Sequence, residues 1–114
     1  MVLIIGGEAS GKRTYARQMG YSDAEMADGT LDDRPVLYNL QDLVARDVQN
    51  APALLEPLSQ KAAVLCNEVG SGVIPLERRE RDAREATGRL TIQLAQRAER
   101  VVRMVCGIAT VIRG

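Results

Sequence analysis

The sequence of 114 residues contains no histidine, no tryptophan and no phenylalanine, and its three aromatic residues are all tyrosines. Without histidine there is no imidazole ligand for a metal, no imidazole base, and no route through a phosphorylated or nucleotidylated histidine. With so few aromatics, the core must be built from Val, Leu, Ile, Ala and Met. Neither sign of charge dominates: 15 Lys plus Arg stand against 15 Asp plus Glu. Bulk charge therefore gives no reason to expect nucleic acid or an anionic membrane as partner. The distribution is uneven, since residues 20–60 lean acidic while 76–103 are rich in arginine. Only two cysteines are present, Cys66 and Cys106, each inside an apolar run, which predicts two buried thiols of a cytosolic protein. Long apolar runs are missing as well. The N-terminal one, Val2 to Ile5, is far too short for a signal peptide or a membrane span, and a cytoplasmic location is expected. The length predicts one domain over residues 1–114 with a sizeable core.

The pattern along the chain alternates. Val2 to Ile5 is a short apolar run stopped by Gly6-Gly7, which fits a buried parallel strand. Residues 11–19 read as helix and stop at Gly20. Ser22-Asp23-Ala24-Glu25 has capping-box form and predicts one short helical turn, while Asp28-Gly29 and Asp32-Asp33-Arg34-Pro35 read as surface loop. Val36-Leu37-Tyr38 is a second strand. Leu40 to Val48 reads as helix, with Leu40, Val44 and Val48 on one stripe, and Pro52 and Pro57 predict a kinked or restarted short helix over 53–60. Ala62 to Cys66 is a buried strand followed by the glycine-containing loop 67–72. Residues 76–99 form the longest helical segment. Its stripe is Ala83, Thr87, Leu90, Leu94 and Ala98, with i,i+4 pairs Glu77–Arg81, Glu80–Arg84 and Glu85–Arg89. Val101–Val105 and Ile108–Ile112 flank Cys106-Gly107 as a terminal hairpin. This order predicts an α/β fold with a mostly parallel sheet and flanking helices.

Gly6-Gly7-Glu8-Ala9-Ser10-Gly11-Lys12 fits G-x-x-x-x-G-K, between a strand and a helix, which is the context that a P-loop requires. The glycines let consecutive backbone N–H groups turn inward on phosphate oxygens. The start of the helix adds a partial positive charge, and Lys12 brings a full one. The expected ligand is the triphosphate of ATP or GTP, held by Gly6, Gly7, Glu8, Ala9, Ser10, Gly11, Lys12, Arg13 and Thr14, with Mg²⁺ expected beside it. One position departs from the motif: Arg13 stands where a serine or threonine hydroxyl should reach Mg²⁺, and a guanidinium cannot ligate a metal. Either phosphates and water hold the ion, or Thr14 or Ser10 substitutes, or turnover is impaired. Arg13 is also a candidate phosphate contact.

A second signature is Asn67-Glu68-Val69-Gly70-Ser71-Gly72-Val73-Ile74-Pro75. Together with the loop at 6–12, it resembles the adenosylcobinamide kinase / adenosylcobinamide-phosphate guanylyltransferase family of cobalamin biosynthesis. The likeness runs on through Arg78, Arg81, Arg84, Gly88-Arg89 and Leu94-Ala95 to Val105-Cys106-Gly107-Ile108. It is good over about the first 20 and last 50 residues and loose over 21–60, which is shorter than in the family. The resemblance implies a P-loop NTPase-like, RecA-like fold, a homo-oligomer, and phosphorylation of the cobinamide aminopropanol hydroxyl. It also implies transfer of GMP, but the family's guanylyl acceptor is a histidine and this chain has none. By position, Lys12 and Glu68 become the candidate catalytic residues, with Glu68 orienting a metal-bound water or the attacking hydroxyl; capping of the following loop is the alternative role. Arg78, Arg81 and Arg84 could face phosphate or a neighbouring subunit, or simply be solvated. Asn39 stands where the family carries an acid, with Asp42 nearby. Three readings stay open: a kinase that has lost guanylyl transfer, a non-catalytic nucleotide-binding partner of a full-length enzyme, and an interaction module without ligand. No separate protein metal site is expected.

Overall fold

A computed structural model describes residues 1–68 and 77–114. Six strands form one sheet in the order β2-β3-β4-β1-β5-β6. They are β1 (Val2–Gly6), β2 (Met26–Asp28), β3 (Val36–Tyr38), β4 (Ala63–Asn67), β5 (Arg100–Val105) and β6 (Ile108–Arg113). The first five run parallel, and β6 returns antiparallel to β5. The helices are α1 (Lys12–Gln18), α2 (Leu40–Arg46), α3 (Leu55–Ser59) and α4 (Arg78–Arg97). The sheet is therefore the mostly parallel α/β sheet with flanking helices and a C-terminal hairpin that the sequence predicts.

Strand alternation sends β1 both ways. Leu3 joins Leu37, Leu40, Val44, Leu58, Val64, Leu90 and Leu94 on the face covered by α2, α3 and α4. Val2 and Ile4 join Val36, Leu65, Val102 and Met104 on the face covered by α1 through Ala16, Tyr15 and Met19. A central parallel strand buried on both faces needs a continuous apolar run, and Val2 to Ile5 supplies it.

The differences from expectation are local. Strand β2 falls where a surface loop is predicted at Asp28: its three residues are too few to show a period, yet pairing with β3 buries Met26 and Ala27. The capping box does form, with Ser22 N–H donating to Glu25 Oε1 at 2.9 Å ahead of a 3₁₀ turn at Asp23–Glu25. Helix α2 stops at Arg46 because Asp47 leaves helical geometry at φ −152°. The Pro52 segment is a 3₁₀ helix, Val48–Leu54, that passes into α3. Helix α4 ends at Arg97, with Ala98 already extended, and Thr87, Leu90 and Leu94 are its buried stripe. Leu76, the expected first helical residue, and Val69 to Pro75 of the second signature lie outside the described residues. Of the two thiols only Cys66 is buried; Cys106 is exposed, because it occupies a hairpin turn. No helix among the described residues is long and apolar enough to cross a membrane.

Candidate functional site

The loop between β1 and α1 is shaped by two glycines for different reasons. A Cβ on Gly6 would lie 2.5 Å from Ser10 Oγ and 2.7 Å from the Met104 carbonyl oxygen, so the loop can cross β5 only over a bare Cα. Gly11 sits at φ 97°, and a Cβ there would meet the Cα of Gly107 at 3.2 Å. Ala9 is also left-handed, at φ 55°. Left-handed residues interspersed in a loop turn its amides to one side and make a concavity for anions. Among the described residues, the amides of Glu8, Ala9, Gly11, Lys12 and Arg13 have no backbone acceptor. They are the donors that such a concavity offers.

The loop is braced from outside. Gly107 N–H donates to the Ser10 carbonyl at 2.9 Å, so the turn of the β5–β6 hairpin props the β1–α1 loop. That turn has positive φ at both central residues, Cys106 at 50° and Gly107 at 77°, the twist that joins antiparallel strands by two residues. The Ser10 hydroxyl is buried and finds no hydrogen-bond partner among the described residues.

Beside the loop lies an open hollow of about 750 Å³. Residues Glu8 to Thr14 and Arg17 form one wall, and the other is built from the strand ends: Asp28 closing β2, Tyr38 closing β3 with Asn39 just after it, and Asn67 closing β4, with Gln41 and Asp42 from α2. Ligands in open parallel sheets bind at these carboxyl ends. The ammonium of Lys12 donates to the Gly7 carbonyl at 2.6 Å and to the Gly6 carbonyl at 3.3 Å. Partial burial pulls that ammonium below its ordinary pKa, while Cys66, Glu8 and Glu68 pull the other way. The Arg13 guanidinium lies over the Tyr38 ring, 4.8 Å from its centroid, with Nη1 3.5 Å from the phenol oxygen. Asn39 is left-handed at φ 56°, and its Nδ2 donates to Asp28 Oδ1 at 2.7 Å. Gln41 Oε1 accepts from the Asn67 amide at 3.1 Å and ties α2 to the end of β4.

The structure thus gathers Glu8, Ala9, Ser10, Gly11, Lys12, Arg13 and Thr14 around the hollow, with Gly6 and Gly7 presenting carbonyls to Lys12. Asn39 and Asp42 join them. Glu68 does not line the hollow. Its amide donates to the Gly6 carbonyl at 2.9 Å, and its carboxylate takes two hydrogen bonds from Arg103 on β5, at 2.5 and 3.2 Å. Arg103, Asp28, Tyr38 and Gln41 were not legible as site residues, because nothing local in the sequence marks them and the sheet order alone brings them near. Arg78, Arg81 and Arg84 on α4 do not line the hollow either. Arg78 approaches Asp82 at 3.9 Å, and the predicted pair Glu85–Arg89 forms at 3.4 Å.

With this geometry in view, the family described as cobinamide kinase / cobinamide phosphate guanyltransferase matches residues 26–112, well over half of the chain. The chain belongs to this family. The matched span includes residues 26–60, where the likeness is expected to be loose, and begins after the β1–α1 loop. Within the cobinamide kinase / cobinamide phosphate guanyltransferase family, then, it is the β2-to-β6 part of this sheet that carries the match, and the loop of residues 6–12 is read on its own geometry. No curated protein matches the chain.

Magnesium, which accompanies triphosphates in P-loops, takes hard oxygen donors in near-octahedral array. The donor set here does not fit it at the usual place. Arg13 replaces the hydroxyl, Ser10 Oγ is sealed from solvent, Glu68 is engaged by Arg103, and Asn39 is no anion, which leaves Thr14 and Asp42 as the expected substitutes that line the hollow. Among the described residues, no three His, Cys, Asp or Glu side chains group as a metal site.

Proposed function

We propose that the hollow beside the β1–α1 loop binds the triphosphate of ATP or GTP, and that the chain is a nucleoside-triphosphate-dependent kinase acting on the cobinamide aminopropanol hydroxyl in cobalamin biosynthesis. The observation that carries this reading is the Lys12 ammonium resting on the Gly6 and Gly7 carbonyls, beside a ring of loop amides without backbone acceptors. Those donors would exchange carbonyl and solvent partners for phosphate oxygens. Phosphoryl transfer is mainly positioning and charge stabilisation, and Lys12 and Arg13 supply two full positive charges at the loop.

Guanylyl transfer through histidine has no residue to run on, since the chain contains none. The acceptor hydroxyl needs an orienting group, and the hollow offers Asp42 and Asp28, whereas Glu68 would first have to leave Arg103. That engagement favours a second reading, a nucleotide-binding partner of a full-length enzyme without turnover of its own. Self-association in a homo-oligomer belongs to either reading.

Calorimetric titration of ATP and GTP into the native chain and Lys12→Ala tests binding, and transfer of labelled γ-phosphate to cobinamide tests the kinase. Lys12→Ala should weaken binding at least tenfold. Binding that survives this change unaltered defeats the site assignment, and binding without phosphate transfer supports the second reading.

A further inference from the structure

We infer that this loop binds polyphosphate without a divalent cation, Arg13 being the fixed positive charge that a magnesium ion supplies in an ordinary loop of this type. The inference rests on the proposed triphosphate site and concerns how that site balances charge. Arg13 directly follows Lys12, the position at which the motif places its metal-binding hydroxyl. Its side chain lines the hollow and lies over the Tyr38 ring, with Nη1 near the phenol oxygen. An aromatic face steadies a guanidinium without neutralising it. Among the described residues Arg13 makes no ion pair, whereas Arg17, the next cation along the same wall, is matched by Asp23 at 2.7 Å. The planar fork of a guanidinium suits phosphate oxygens.

The remaining oxygen donors do not rebuild the metal position. The Ser10 hydroxyl is sealed against Gly6. Thr14 lines the hollow as well, but it offers a single neutral hydroxyl beside the Arg13 guanidinium. Asp28 holds Asn39, and Glu68 is held by Arg103. Asp42 from α2 and Glu8 from the loop also line the hollow, but no three carboxylates among the described residues group as a metal site.

The experiment is calorimetric titration of ATP, and separately of inorganic tripolyphosphate, into the full chain in 5 mM-scale magnesium (on the order of millimolar, enough to saturate the nucleotide) and in EDTA. Native protein, Arg13→Ser and Thr14→Val are compared, with thermal melts to confirm folding. The native affinity should differ less than about threefold between the two conditions. Arg13→Ser should lose at least about tenfold in EDTA, a change of about 1.4 kcal/mol, and regain most of it with magnesium through the new hydroxyl. Tripolyphosphate should follow ATP, because the charge acts on phosphate and not on the base. A native affinity that rises tenfold or more with magnesium overturns the inference, all the more if Thr14→Val removes that rise. Arg13→Ser binding like the native chain in EDTA overturns it equally. Absence of binding under both conditions sinks the triphosphate site itself along with the inference, an outcome distinct from metal-dependent binding, which leaves the site standing.

Discussion

Gly6→Ala isolates one physical cause in the β1–α1 loop. The motif contains two adjacent glycines, Gly6 and Gly7, and the structure treats them differently. A methyl group on Gly6 would stand 2.5 Å from Ser10 Oγ and 2.7 Å from the Met104 carbonyl oxygen, while one on Gly7 would meet nothing within 4 Å. The hydroxyl can rotate, but the carbonyl belongs to β5, which pairs with β1 at Gly6↔Met104, and cannot move without parting the two strands. Forced overpacking of this kind costs about 1–3 kcal/mol. In a domain of this size each kcal/mol is worth about 3–6 °C in melting temperature. Gly6→Ala should therefore melt roughly 3–18 °C below the native chain, and Gly7→Ala within about 2 °C of it. The Gly6→Ala, Ser10→Ala pair should recover only part of the loss, since the carbonyl contact remains. Differential scanning calorimetry or thermal circular dichroism reads all three. Equal melting temperatures for the two single variants, or full recovery in the pair, would refute the steric argument. The Gly6 carbonyl also accepts from the Glu68 amide and the Lys12 ammonium, so affinity at the proposed nucleotide site should fall in Gly6→Ala as well.

The remaining predictions concern the core and the thiols. Leu94 is fully buried between α4 and the sheet, and Leu94→Ala should lose about 2–5 kcal/mol in urea unfolding; a loss below about 1 kcal/mol would mean that α4 does not pack as described. Burial pushes the Cys66 thiol up to about 11 from an ordinary 9.0, while Cys106 is exposed, so a thiol-specific dye at pH 8 should label one site in the native protein and two in denaturant. The same shift couples to stability. Folding favours the protonated thiol, so its contribution is complete below pH 9 and is lost as pH rises through about 11, on the order of 2–3 kcal/mol. Cys66→Ala should flatten that alkaline slope in melts taken between pH 8 and 11, and an unchanged slope would assign it to other groups.

Much of the fold was legible because its signals are local. Val2 to Ile5 and Ala62 to Cys66 are apolar runs bounded by turn residues, and a strand buried on both faces needs little else. Leu90 and Leu94 mark the buried stripe of α4 because helical period is written in spacing. The G-x-x-x-x-G-K spacing located the loop, since left-handed φ at Gly11 and an ammonium one residue later are properties of the residues themselves. Strand β2 was not legible: three residues carry no period, and only pairing with β3 makes Met26 and Ala27 interior.

What the sequence determined by itself is therefore the kind of elements, their order, the place of the loop and the absence of any histidine chemistry. The tertiary structure alone decided which distant groups share the hollow and which are withdrawn from it. Arg103 reaches Glu68 because β1 lies between β4 and β5, and Tyr38 underlies Arg13 because β3 ends beside the loop. The hairpin turn at Gly107 braces Ser10 from nearly a hundred residues away in the chain. Strand order is set by the competition of whole faces for burial, a sum over many weak contacts that no short stretch of residues records.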